Sequence, residues 1–107
     1  ELNAEYWLLE LELKAKQTAK AIHRIERILK RPVPNNSQWY LLFHYQLGAL
    51  YQSSQQWVRA KEHYLKASGA RPIQGYEAYQ KEAKRLADEI SRYLKEVDAQ
   101  KKSTPKG

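Results

Sequence analysis

Residues that break helices are confined to a few short stretches, and everything between them is free to be helical. Arg31-Pro32-Val33-Pro34-Asn35-Asn36 cannot continue a helix, because each proline lacks a donor N–H and restricts the residue before it. Ser37, immediately after, offers an N-cap. A softer break falls at Gln52-Ser53-Ser54-Gln55-Gln56. A third is Ser68-Gly69-Ala70-Arg71-Pro72, where Gly69 is expected to take left-handed backbone at a helix end and Pro72 follows at the usual distance. Residues 101–107 are Lys, Ser, Thr, Pro and Gly and read as a flexible basic tail.

Between the breaks the apolar period is helical. Tyr6, Leu9 and Leu13 form one stripe within residues 4–16. Ala21, Ile22, Ile25, Ile28 and Leu29 repeat every three or four residues within 19–30. Residues 38–51 are apolar all round, which predicts a central helix, and residues 57–68 carry Val58, Ala60, Tyr64, Leu65 and Ala67. Residues 76–99 give the longest helix, and no alternating run suggests a strand. The expectation is an all-α chain of antiparallel helices with short connections, forming one domain over residues 1–100.

The first and second helical runs after the prolines carry a more specific pattern. Leu47, Gly48 and Tyr51 precede the soft break, and Ala60, Tyr64, Ala67 and Pro72 follow it. Small residues stand where two antiparallel helices must approach closely, with a large aromatic on either side. In type and spacing the segment 41–72 resembles the tetratricopeptide repeat, a helix-turn-helix unit of about 34 residues. It departs at His44, where that family usually has Trp. Residues 1–34 look like a degenerate copy: Ala21, Ile25 and Ile28 match Ala60, Tyr64 and Ala67, but Leu8 and Leu9 replace Leu-Gly, so this pair should sit further apart. Residues 38–72 are then the well-matched repeat, and 75–100 the capping helix that closes such stacks. A full repeat, Arg-Pro and a Tyr- and Ala-rich helix also give a faint similarity to the C-terminal part of HemY-type proteins of bacterial envelopes.

The resemblance implies a protein-interaction module or scaffold. In that family the first helix of each repeat lines a concave groove that holds a peptide or partner helix. The register puts Tyr6, Tyr45 and Tyr79 at the same place in successive first helices. Their groove neighbours would be Glu10 and Leu13, then Leu42, Ala49, Gln52 and Ser53, then Tyr76, Ala83 and Leu86. Tyrosines offer large contact area at low entropy cost. Some members clamp a C-terminal carboxylate with Lys and Asn at set places; here those places hold Tyr45 and Ala49, so no such clamp is expected.

Charge supplies the alternative. The net charge is +7, and Lys16, Lys20, Arg24, Arg27 and Arg31 recur on one face of the second helix. Such a stripe is a candidate anion-binding surface for nucleic acid or an anionic membrane, though no phosphate loop or interleaved aromatics accompany it. Glu5, Glu10 and Glu12 are expected to pair with basic side chains. A third reading is an architectural segment of a longer solenoid. The last helix carries Tyr79, Leu86 and Tyr93 beside Ala83, Ile90 and Val97; it is expected to cover the preceding repeat, with an end open to self-association.

Catalysis is poorly supported. The chain has no Cys, which removes disulfides and thiolate chemistry. His23, His44 and His63 lack metal-ligand spacing, although His44 and His63 could meet across the hairpin; no metal or cofactor is expected. No apolar run approaches the ~20 residues of a spanning helix. A chain beginning at Glu1 reads as a piece of a longer protein, compatible with cytoplasm or periplasm.

Overall fold

The computed structural model describes residues 2–103. Five helices follow one another: α1 (Leu2–Lys14), α2 (Thr18–Leu29), α3 (Gln38–Ser53), α4 (Trp57–Ser68) and α5 (Glu77–Ser103). No strand occurs among the described residues, so the chain is all-α there. The body measures 56 × 30 × 23 Å, long in one direction because α5 alone has 27 residues.

Local chemistry fixes the starts of α3 and α5. The Ser37 side chain accepts a hydrogen bond from the Trp39 N–H at 3.1 Å, so the residue after the proline segment starts α3. Gly75 and Glu77 start α5: the Gly75 N–H donates to the Glu77 carboxylate at 3.0 Å. The two tightest reversals use the left-handed region without glycine, at Lys16 (φ 56°) between α1 and α2 and at Gln55 (φ 61°) between α3 and α4. Gly69, expected to be left-handed, is instead right-handed (φ −85°, ψ −1°), and its N–H continues the ladder to the Leu65 carbonyl. The positive-φ glycine is Gly75, at 91°. α5 runs to Ser103, three residues into the segment expected to be a tail. Residues 104–107 of that tail lie outside the described residues.

The main core joins all five helices. Leu9 from α1, Ala21, Ile25 and Ile28 from α2, Phe43 and Leu47 from α3, Ala60, Tyr64 and Ala67 from α4, and Ala83, Ala87 and Ile90 from α5 are all buried. α3 is apolar on every side because neighbours cover it on several sides: α2, α4 and α5 all pack against it. α3 meets α4 most closely, at the face that carries Gly48 and Ala60. α1 and α2, which have no such glycine, meet less extensively. A smaller apolar cluster of Leu41, Leu42 and Ala70 seals the end where the α2–α3 and α4–α5 connections lie side by side. There the Arg71 N–H donates to the Asn35 carbonyl at 3.1 Å, tying one connection to the other. No helix among the described residues is long and apolar enough to cross a membrane.

Candidate partner-binding surface

Three of the sequence-predicted residues meet in a row of aromatic rings. Tyr45 projects from the middle of α3, one turn before Gly48, and Tyr79 from the first turn of α5. Their rings meet edge to face, centroids 5.4 Å apart and planes at 88°. Tyr45 also leans on Tyr64 at 5.8 Å, and the Tyr64 hydroxyl donates to Gln52 at 2.7 Å. Tyr76 continues the row on the other side of Tyr79, at 5.9 Å. Tyr6 of α1 packs on Trp39 and Phe43, both about 6 Å away by centroid.

These rings are supported from beneath and open above. Tyr64 is buried, Tyr6 and Tyr45 are half-buried, and Tyr79 keeps 40% of its surface in solvent. Burial raises the hydroxyl pKa of Tyr6, and Glu10 and Tyr79 add to the rise. Burial also raises that of Tyr45, helped by Glu82. Tyr6 and Tyr45 are therefore neutral hydroxyls at neutral pH, able to donate or accept.

Not every expected groove residue reaches the surface. Ala83 is fully buried in the main core and cannot touch a ligand. The turn of α5 that holds Ala83 faces the other helices. Leu42 is buried beside Leu41 and Ala70, with Tyr6 and Tyr76 packed on that cluster. Leu13 and Leu86 are half-buried against the main core, and Ala49 is half-buried. Gln52 is spoken for by Tyr64. Of the expected groove residues, Tyr6, Tyr45, Tyr76 and Tyr79 keep part of their surface accessible, as do Leu13, Ala49 and Leu86.

The basic stripe is interrupted. Arg24 turns onto α1, where its guanidinium donates to Glu12 at 2.8 and 3.1 Å and to Glu5 at 2.9 Å. Its side chain is only 18% exposed, and these bonds raise its pKa and lower that of Glu12. The pairing expected for Glu5 and Glu12 is thus made by the central residue of the stripe. Lys16 stands in the α1–α2 turn and Arg31 beyond the end of α2, leaving Lys20 and Arg27 as the exposed cations of that helix face.

Between α3 and α4, His44 meets His63. Their Nδ1 atoms are 3.0 Å apart and the rings lie nearly parallel. A neutral pair makes this contact by one Nδ1–H donating to the other bare Nδ1. Burial pushes the pKa of His44 down to about 4, and His63 and Lys66 add to the fall. Burial, then Lys66, lowers that of His63. No group of three or more His, Asp or Glu suited to a metal ion occurs among the described residues.

Sequence reasoning did not find the exposed apolar face of α1, where Trp7 is 64% exposed beside Leu8 and Leu11. The helical stripe through Leu9 and Leu13 sets the buried face, and Trp7 and Leu11 lie off it, so the signal was present in the spacing. No protein-family model, curated protein or solved structure matches the chain.

Proposed function

We propose that the chain is a protein-interaction module of tetratricopeptide-like helix pairs with α5 as its capping helix, and that it holds a peptide segment or partner helix across α1, α3 and α5. The observation that carries this reading is the Tyr45–Tyr79 edge-to-face pair, backed by buried Tyr64 and flanked by Tyr76. Rings already packed on one another lose little freedom when a ligand covers them, so contact area converts to affinity at low ordering cost. Neutral hydroxyls along the row supply donors and acceptors for a peptide backbone. A ligand with apolar side chains spaced to straddle Tyr79 fits this surface.

The competing reading, anionic polymer or membrane bound along α2, is weakened by the engagement of Arg24 with Glu5 and Glu12. Peptides selected from a random displayed library against the whole chain separate the two. Under the aromatic reading, Tyr79→Ala weakens the selected peptides by about tenfold or more, and Arg27→Glu changes affinity by less than about threefold. Peptides that ignore Tyr79→Ala but are lost with Arg27→Glu and at high salt would overturn it.

A further inference from the structure

Beside the histidine pair the body is open. A cleft of about 530 Å3 lies between the last turn of α2 with its following connection, α4, and the α3 side chains that form its floor. Tyr40 and His44 of α3 and His63 of α4 line its inner end. Lys30 and Arg31 come from the α2 side and Lys66 from α4, so three cations converge from two directions. Leu29, Val33 and Leu47 make an apolar wall.

We propose that this cleft binds a small phosphate monoester, its phosphate held by Lys30, Arg31 and Lys66 beside the His44–His63 pair and its organic body against the apolar wall. The volume lies within the ~300–1,000 Å3 common for small-molecule sites. The charge balance selects an anion. Glu26 is the carboxylate in the lining, and one of its oxygens already accepts the Tyr51 hydroxyl at 2.9 Å. The positive field is felt by the histidines themselves, since Lys66 lowers the pKa of both. The same field disfavours a metal ion on the two Nδ1 atoms, which have no third His, Asp or Glu ligand among the described residues.

The histidine pair adds a proton response. A contact of 3.0 Å between Nδ1 atoms accommodates one added proton, as N–H⁺ donating to a bare nitrogen, but not two. A bound dianion favours the protonated form, so binding takes up at most one proton and strengthens as pH falls. The groups that set this response are Glu26, Lys30 and Arg31 from the α2 side, Tyr40 and Tyr51 from α3, and Arg59, Glu62 and Lys66 from α4.

The test is a titration of the whole chain with phenyl phosphate, read by the imidazole proton signals of His44 and His63 and by calorimetry in two buffers of different ionisation enthalpy. The expected result is saturable binding, tightening about three- to tenfold from about pH 7.5 to about pH 6, with proton uptake below one. Lys66→Glu should weaken it about tenfold or more, Glu26→Gln should strengthen it, and Lys95→Glu on α5 should change it less than about twofold. His63→Gln should remove the tightening at low pH and leave only the dependence set by the ligand's own second ionisation at pH ~6. All but His63 are exposed positions, so the fold tolerates those changes. No saturable shift of either histidine at tens of millimolar ligand overturns the proposal. So does an equal loss with Lys66→Glu and Lys95→Glu, which would mark diffuse surface charge.

Discussion

The ring of Tyr64 lies so close over Gly48 that a Cβ on residue 48 would come within 2.6 Å of its Cδ1 and 2.7 Å of its Cε1. Tyr64 has no room to withdraw: it is 1% exposed, its hydroxyl is tied to Gln52, and Tyr45 leans on its edge. Gly48→Ala gains about 1 kcal/mol of helix propensity and loses more to overlap in a closed core, which typically costs ~1–3 kcal/mol and here has little way to relax. A net loss of about 1–2 kcal/mol is expected, read as a fall in Tm of roughly 4–15 °C. Tyr64→Leu in the same chain should return part of it, because the clash goes with the ring.

Gln55 and Lys16 hold left-handed backbone at the two tightest reversals. An L side chain there costs about 1–2 kcal/mol, and glycine removes the cost while giving back some unfolded-state entropy. Gln55→Gly should stabilise the α3–α4 hairpin by about 0.5–1 kcal/mol, measured by urea unfolding. Lys16→Gly should act in the same direction on the α1–α2 turn.

Arg24 fastens α2 to α1 through Glu5 and Glu12, all three side chains at least two-thirds covered. Arg24→Met is expected to lose about 1–3 kcal/mol and to speed amide exchange in α1 before the rest. The bond from Arg24 is the main reason the Glu12 carboxyl sits below its ordinary value of 4.5. A carboxyl lowered on folding contributes stability above its unfolded pKa and loses it as pH falls through the folded one. The wild type should therefore lose this contribution progressively below about pH 4.5, and Arg24→Met should show a flatter acid limb.

His44 behaves in the opposite sense. Its folded pKa of about 4 lies below its ordinary 6.5, so the unfolded chain takes up the proton first. Stability is undiminished above the ordinary value and falls as pH drops from 6.5 towards about 4. Between about pH 7 and about pH 5 the loss should be on the order of 2 kcal/mol, with His63 adding in the same direction. Urea midpoints at the two pH values check this, and His44→Phe should reduce the slope.

The helices were legible because their breaks are covalent and local: Pro32 and Pro34 remove donors, and Ser37 supplies the cap that the structure uses. The Gly48 and Ala60 spacing likewise announced a close approach of α3 and α4. Backbone handedness was less legible. Gly69 looked left-handed because glycine permits it, while Lys16 and Gln55 adopt that region through chain reversal despite their side chains. Among the candidate site residues, Tyr45 and Tyr79 do meet, whereas Ala83 turned inward and Arg24 sideways onto α1. Those two depend on which neighbour covers a helix face, a relation between segments far apart in the chain. The cleft of Lys30, Arg31 and Lys66 is of the same kind, joining residues that share no local period.

The hydrogen bond from Arg71 to Asn35 has a mechanical meaning. Stacked helices flex where their connections hinge, and here the two connections at one end of the body are stitched together by a main-chain bond beside the Leu41, Leu42 and Ala70 cluster. Only a change that removes the donor N–H itself, such as Arg71→Pro, unpicks that stitch. Bending that spreads the α2–α3 elbow from the α4–α5 elbow must stretch it, so the bond opposes opening of the body at that end.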